Sequence, residues 1–169
     1  MTKNAAEGLN YGAEISLDSE ISDTVTMFLN LGILETEIRK YQSRSDLEGR
    51  EQAHAPDYSF SAGLSWEISN NLEFLLDFNG KSDFYYSDSH DNTSDDYILT
   101  NINMIYTKDK INLNFWVRNI FDEYYSLRGF YFGNEPPNFE DTLYERHGDP
   151  RSYGSVSYTH LTLPTTIEV

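Results

Sequence analysis

The side chains of this sequence that could do chemistry are mostly carboxylates in polar stretches. His90 lies within residues 88–96, whose carboxylates and carbonyls could ligate a hard cation such as Ca²⁺. The glycine and terminal glutamate of an EF-hand loop are missing there, so a solvated acidic loop is the favoured interpretation. Asp95 and Asp96 could act as an acid and a base, but neighbouring carboxylates are not diagnostic of catalysis. Because a nucleophile elbow and a phosphate-binding glycine loop are also missing, we predict a protein that is not an enzyme, with no catalytic residues, metal or cofactor.

The amino-acid composition argues against further classes of function. The chain has 169 residues and a formal net charge of −16, from 28 Asp and Glu against 12 Lys and Arg. Nucleic-acid binding needs a basic surface, so we expect no nucleic-acid partner. The sequence has no cysteine, which excludes disulfides, zinc-thiolate sites and thiol nucleophiles.

The strongest pattern is an alternation of apolar and polar residues with a period of two, which predicts two-faced strands. Residues 58–69 show it most clearly, and residues 72–81 repeat it after a short turn. Weaker copies occupy residues 10–18, 24–34, 97–106 and 111–118. A mean hydropathy of −0.59 does not exclude a membrane barrel, because each barrel strand exposes only every second residue to lipid.

The connections between these strands alternate in length. Short turns are predicted near residues 20–23, 69–71 and 108–110, and long polar loops at residues 37–57, 87–95 and 126–147. Short turns at one end and long loops at the other are typical of an outer-membrane barrel.

This orientation assigns the two faces of the strands. Aromatic girdles at the membrane interfaces are predicted from Tyr58, Phe60, Trp66, Phe84, Tyr86 and Tyr106. The predicted lumen-facing residues are Glu73, Asp77, Asn79, Lys81, Asn101, Asn103 and Arg118. The competing interpretation is a soluble antiparallel sandwich, in which the aromatic rows would pack a core.

A motif after the sixth strand resembles a known family. Residues 118–125, Arg-Asn-Ile-Phe-Asp-Glu-Tyr-Tyr, resemble the Asn-Leu-Phe-Asp-x-x-Tyr signature near the end of TonB-dependent outer-membrane receptors. Further landmarks occur in the same order, namely Gly12-Ala13-Glu14, Ala55-Pro56, Tyr97-x-Leu99-x-Asn101 and the segment 148–154. In this family the residues of the motif have a structural role. In this sequence they are Asn119, Ile120, Phe121, Asp122 and Tyr125.

The resemblance implies an all-β fold, an antiparallel up-and-down transmembrane barrel of about 22 strands, of which residues 1–155 supply roughly the last seven. The plug, the coupling box and the signal peptide are expected outside this sequence. The implied function is energy-coupled uptake of a scarce nutrient, such as a ferric siderophore, cobalamin or a glycan, in the outer membrane of a Gram-negative bacterium. The implied partners are outer-membrane lipid, the nutrient, and the TonB energy-coupling protein acting through the missing N-terminal region. A plug-less porin, a barrel enzyme and a soluble β-sandwich binding module stay open as alternatives.

The last residues look foreign to the rest of the sequence. Residues 156–169 resemble the translation of a transposase sequencing adapter, and Leu163-Pro164 does not suit a strand, because proline lacks the N–H that a ladder needs. We therefore predict that residues 156–169 are a non-native tail.

Overall fold

The computed structural model describes residues 7–41 and 44–159, and strands dominate these residues. The strands are β1 (Glu7–Ser22), β2 (Val25–Lys40), β3 (Tyr58–Ser69), β4 (Leu72–Lys81), β5 (Tyr97–Lys108), β6 (Ile111–Arg118), β7 (Ser126–Phe132), β8 (Thr142–His147) and β9 (Ser152–Thr159). A single turn of 3₁₀ helix, Ser45–Leu47, lies between β2 and β3. The predicted all-β class is confirmed. Within the described ranges, no helix is both long and apolar enough to cross a membrane.

Consecutive strands pair with each other. Within the described part of the chain, a seven-stranded antiparallel sheet has the order β1-β2-β3-β4-β5-β6-β9, and β7 and β8 form a separate hairpin between β6 and β9. In the described pairing, β1 and β9 each have one neighbour in this sheet. The sheet is therefore an up-and-down segment that does not close, as the sequence predicts.

The two ends of the sheet differ in their connections. Two-residue turns join β1 to β2, β3 to β4, and β5 to β6. In the last of these turns Asp109 has a φ of 52°, the left-handed conformation that tight hairpin turns require. The other end carries the connections 41–57 and 82–96 and the long segment 119–151. The predicted alternation of short turns and long loops is present.

Two details of the prediction are wrong. Strand β4 ends at Lys81, so Phe84 and Tyr86 lie in the following loop, each only 3% exposed. Side chains buried beneath loops cannot meet lipid, which removes both from the aromatic girdle. The segment 126–147, predicted as a polar loop, contains the β7–β8 hairpin.

The most buried apolar side chains lie in the loop layer at the end of the sheet. Ile38, Leu47, Phe84 and Tyr86 are each at most 5% exposed, and Ile38 is near the end of β2. The faces of the sheet itself keep large apolar residues exposed, for example Ile15 at 54% and Phe115 at 51%. A sandwich would bury such a face against a second sheet, so the sandwich alternative does not fit.

Two glycines within the sheet leave room for aromatic rings from neighbouring strands. The Phe28 ring covers Gly63, and the Phe60 ring covers Gly80. A Cβ at Gly63 would come within 2.6 Å of the Phe28 ring and 2.8 Å of the Leu76 carbonyl oxygen. Pairing of an aromatic residue with a glycine on the next strand fixes the register between the strands.

The predicted tail is partly described. Val156–Thr159 continue β9, where Val156 pairs with Asn114 and Thr159 with Ile111 on β6. Residues 160–169 lie outside the described residues. The division of the chain at residue 155 stays a prediction.

Candidate functional site

One face of the sheet is apolar and exposed. Cross-strand register places Tyr58, Phe60, Trp66 and Tyr106 on this apolar face, together with their partners on neighbouring strands. Its exposed members include Ile15, Ile33, Trp66, Ile98, Met104 and Phe115. That these four aromatic residues form girdles at membrane interfaces stays a prediction.

The opposite face, here called the polar face, carries all seven residues that were predicted to line the lumen. Asp77 pairs with Asn101, Lys81 with Tyr97, and Asn103 with Trp116. Glu73, Asn79 and Arg118 have the same parity on their strands and lie on the same face. The register therefore brings these residues together, and their contact with a lumen stays a prediction.

Hydrogen bonds connect the polar face across strands. One carboxylate oxygen of Asp77 accepts from the side-chain amides of Asn79 at 2.8 Å and Asn101 at 2.7 Å. The amide oxygen of Asn101 in turn accepts from the backbone N–H of Asn119 at 2.9 Å. Nearer the turns, the Ser65 hydroxyl donates to Glu73 at 2.6 Å. Such a connected network holds its side chains in fixed directions.

The polar face also has groups that are not satisfied. The amide oxygens of Asn103 and Asn114 are buried and lack a hydrogen-bond partner among the described residues. Beside them Trp116 carries the Arg118 guanidinium 5.1 Å above its ring. Unsatisfied buried acceptors are costly, so this region of the face suits a further polar contact.

Asn119 fixes the point where the chain leaves β6. It is 4% exposed, with a φ of 49°, a conformation that asparagine tolerates better than most residues. Its side-chain oxygen accepts from the N–H of Glu123 at 2.8 Å, and its amide nitrogen donates to the Glu123 carbonyl at 2.9 Å. A longer bond of 3.3 Å reaches the carbonyl of Asp149. Asn119 therefore connects the end of β6 to the segment before β9.

The rest of the motif continues this connection. Asp122 has a φ of 57°, and its carboxylate accepts from the N–H of Arg151 at 2.7 Å. The Tyr125 carbonyl accepts from the N–H of Gly148 at 3.0 Å, and the Tyr125 ring covers that glycine. Ile120 N–H donates to the Thr100 carbonyl at 2.9 Å, while Phe121 is 74% exposed. The motif thus closes the base of the β7–β8 hairpin.

The β4–β5 loop (residues 82–96) packs between the β2–β3 loop and the hairpin. Phe84 lies 5.4 Å from the His54 ring and 5.7 Å from the Tyr86 ring, measured between centroids. The Tyr86 ring lies against Gly129 on β7, and its hydroxyl donates to the Glu145 carboxylate on β8. Burial, together with this hydrogen bond, raises the pKa of Tyr86 to about 12.

His54 occupies the other side of this aromatic cluster. Its pKa is lowered, first by burial and then by the positive charges of Arg128 and Lys81. A neutral His54 is therefore favoured in the folded loops.

The acidic stretch 88–96 does not gather into a cation site. Asp88 accepts from the N–H of Ala53 at 2.8 Å, and Asp91 pairs with Arg50 at 2.6 Å. Across the described part of the chain, no three His, Asp or Glu side chains are grouped closely enough to hold a metal ion.

No protein-family model matches the chain. Solved structures do. The siderophore receptor PiuA from Acinetobacter baumannii is 15% identical, with a TM-score of 0.74 over 90% of this chain and 22% of its own length. The ferric yersiniabactin uptake receptor FyuA from Yersinia pestis gives 15% identity and a TM-score of 0.74, over 90% of this chain and 23% of that one. This chain has the fold of a segment of such receptors.

A third structure agrees with these two. BauA, the ferric preacinetobactin receptor from Acinetobacter baumannii, is 19% identical, with a TM-score of 0.69 over 89% of this chain and 22% of that one. The chain spans about a fifth of the length of these receptors. The fold implied by the motif of residues 118–125 is confirmed.

The residues that join the loops were not among those predicted from the sequence. Arg50, His54 and Tyr131 make contacts of this kind, and each lies in a segment treated as a polar loop. For Tyr131 a signal exists, since the aromatic run Phe130 to Phe132 and the apolar pair Leu143 and Tyr144 lie on either side of a segment that contains Pro136 and Pro137. For Arg50 and His54 the local sequence offers none, because their partners are at least 30 residues away.

Proposed function

We propose that this chain is part of the β-barrel of a TonB-dependent receptor in the outer membrane of a Gram-negative bacterium. The observation that carries the proposal is the two-faced sheet. Its apolar face stays exposed across neighbouring strands, and its polar face holds a hydrogen-bonded network. A sheet of this kind suits lipid on one side and a polar interior on the other. The likeness to uptake receptors over about 90% of the chain supports it.

In this proposal the parent protein takes up a scarce nutrient and does no chemistry on it. Ferric siderophores are the favoured class, because the similar solved structures are named as receptors for siderophores or ferric complexes. Cobalamin and glycans are the other classes that the motif allows. The nutrient would pass the loop layer and then the polar face, along Asp77, Asn101 and Arg118.

The same proposal gives each part of the chain a place in the longer parent protein. Residues 1–155 would be the C-terminal part of the barrel, and residues 156–169 a non-native tail. A plug and a box that binds the TonB energy-coupling protein would precede the barrel in the parent sequence. A plug-less porin or a barrel enzyme would have neither of these.

The test uses the complete gene from the source DNA. We expect an upstream plug-encoding region with a coupling box, and uptake of radiolabelled ferric siderophores by cells that carry the gene under iron limitation. A variant with the coupling box deleted, expressed at the same level, is the control and should take up none. A barrel encoded without a plug, or uptake that does not depend on the box, would contradict the proposal.

A further inference from the structure

The tip of the β4–β5 loop, residues 87–92, contacts two other segments at once. On one side lies the β2–β3 loop, residues 41–57. On the other lies the β7–β8 hairpin. His90 makes contacts in both directions, through its backbone and through its ring.

The contacts with the β2–β3 loop centre on Arg50. Its guanidinium pairs with the Asp91 carboxylate at 2.6 Å, donates to the His90 carbonyl, and lies 4.2 Å above the Tyr85 ring. The Arg50 side chain is only 19% exposed, whereas that of Asp91 is 93% exposed, so the guanidinium is shielded from water and the carboxylate of the pair is not. Next to it, Asp88 accepts from the N–H of Ala53 at 2.8 Å.

The contacts with the hairpin centre on Tyr131. Its ring stacks on the His90 ring, with centroids 3.6 Å apart and planes 9° from parallel. The Tyr131 hydroxyl donates to the side-chain oxygen of Asn92 at 2.6 Å. Asp141, between β7 and β8, lies 3.7 Å from the imidazole of His90. The hydroxyl of Ser87, 3.0 Å from the other ring nitrogen, fixes the orientation of the imidazole.

We propose that residues 87–92 act as a latch that couples the β2–β3 loop to the β7–β8 hairpin. The carbonyl of His90 is bound by Arg50 and its ring by Tyr131, so neither segment can move far without displacing the same residue. A molecule that shifts the hairpin therefore also shifts the β2–β3 loop, and the reverse holds by thermodynamic linkage. The coupling is a property of the loops and does not depend on which nutrient is transported.

Hydrogen–deuterium exchange on the full chain in detergent micelles tests the latch. In Arg50→Ala the amides of the hairpin, residues 126–147, should exchange about fivefold faster or more, although the hydrogen bonds, ion pair and cation–π contact described for the Arg50 side chain all go to Tyr85, His90 and Asp91. His54 also lies near the hairpin, since the charge of Arg128 and the backbone of Gly129 both act on its pKa, so the coupling should weaken rather than disappear. In the reverse experiment, Tyr131→Ala should speed exchange in residues 48–57.

Arg44→Ala is the matched control. Arg44 lies in the same loop and forms an ion pair of 2.8 Å with its near neighbour Asp46, against 2.6 Å for Arg50 and Asp91. Its loss should leave exchange in the hairpin unchanged. If Arg50→Ala speeds exchange only in residues 44–57 and 87–92, the proposal is wrong. If Arg50→Ala also speeds exchange in β3 to β5, the comparison is repeated with Arg50→Lys, which keeps the charge but loses the two-point contact. Faster exchange in the hairpin of that variant then supports the proposal, and faster exchange confined to residues 44–57 and 87–92 contradicts it.

Discussion

At the scale of single residues, the structure explains why the motif after β6 contains asparagine and aspartate. Both Asn119 and Asp122 have positive φ values. The Asn119 side chain accepts from the N–H of Glu123 before the hairpin, and the Asp122 side chain accepts from the N–H of Arg151 after it. Short polar side chains are suited to this combination, because they tolerate the left-handed region and reach nearby backbone groups. The motif therefore contributes geometry rather than catalysis.

Replacing Asn119 by alanine should destabilise the folded chain by about 2 kcal/mol, because buried backbone groups lose their partners and a positive φ is left to a less tolerant residue. The free energy of unfolding in urea, measured in micelles, checks this value. Asn112→Ala is the control at the other end of β6, where the side chain donates to Thr107 at 2.8 Å in an exposed position. That variant should change stability by no more than about 0.5 kcal/mol. Equal losses in the two variants would contradict the role given to Asn119.

The loop layer should loosen in acid because of His54. Its folded-state pKa lies below the ordinary value of 6.5, so between the two values the unfolded loops bind more protons than the folded ones. The stabilisation is complete above pH 6.5 and is lost as the pH falls through the folded-state pKa. Exchange of the amides of residues 44–57 should therefore speed up below pH 6.5, after correction for intrinsic rates. Asparagine tolerates the positive φ of 58° at this position. In His54→Asn the increase of the exchange rate on acidification should therefore be smaller. An unchanged pH profile in that variant would exclude His54 as the cause.

At the scale of elements, alternation with a period of two was enough to predict the sheet. Strands β1 to β6 follow it, because each has one apolar and one polar side and a slip by one residue would exchange them. Strand β9 does not follow it, since Val156 and Tyr158 pair with Asn114 and Asn112 in the polar row of β6. The exceptions are informative. Phe28 breaks the polar row of β2, and it does so because its ring covers Gly63 on β3.

The loops could not be predicted in the same way. Strand β4 ends at Lys81. The aromatic residues beyond it, Phe84 and Tyr86, pack in a buried cluster with His54 from another loop. A periodic pattern reports which way a strand faces, but it carries no information on which distant segment will cover a residue after the strand ends. The same limit applies to Arg50 and Asp91, which are 41 residues apart.

The pairing of Phe28 with Gly63 gives a prediction at this scale. Gly63→Ala should cost about 1–3 kcal/mol, because the new methyl group meets the Phe28 ring and the backbone of β4. Gly32→Ala is the matched control on the same face, since its nearest neighbour would be the Ser59 hydroxyl at 3.6 Å, an ordinary contact. The midpoint of urea unfolding in micelles should fall for the first variant and stay within error for the second. A fall of similar size in both would show that the ring over Gly63 has no special role.

At the scale of the whole molecule, the two faces of one sheet differ in the surroundings that suit them. The most buried apolar side chains lie in the loop layer, and the apolar face of the sheet keeps exposed Ile, Phe and Trp residues. In water such a surface would favour association, and lipid is the environment that suits it. The composition hides this property, since polar loops and the polar face dominate a mean hydropathy of −0.59.

The chain has two tryptophans, and they offer the most direct test of this central claim. Trp66 lies on the apolar face, 46% exposed, and Trp116 lies on the polar face opposite Gly154. Single-tryptophan variants, Trp116→Phe and Trp66→Phe, are made in the complete barrel, with its other tryptophans replaced by phenylalanine, and reconstituted in vesicles whose acyl chains carry bromine, a contact quencher of tryptophan fluorescence. With the apolar face in lipid, the expected result is strong quenching of Trp66 and weak quenching of Trp116, relative to vesicles without bromine. Equal quenching of the two, or stronger quenching of Trp116, would contradict it.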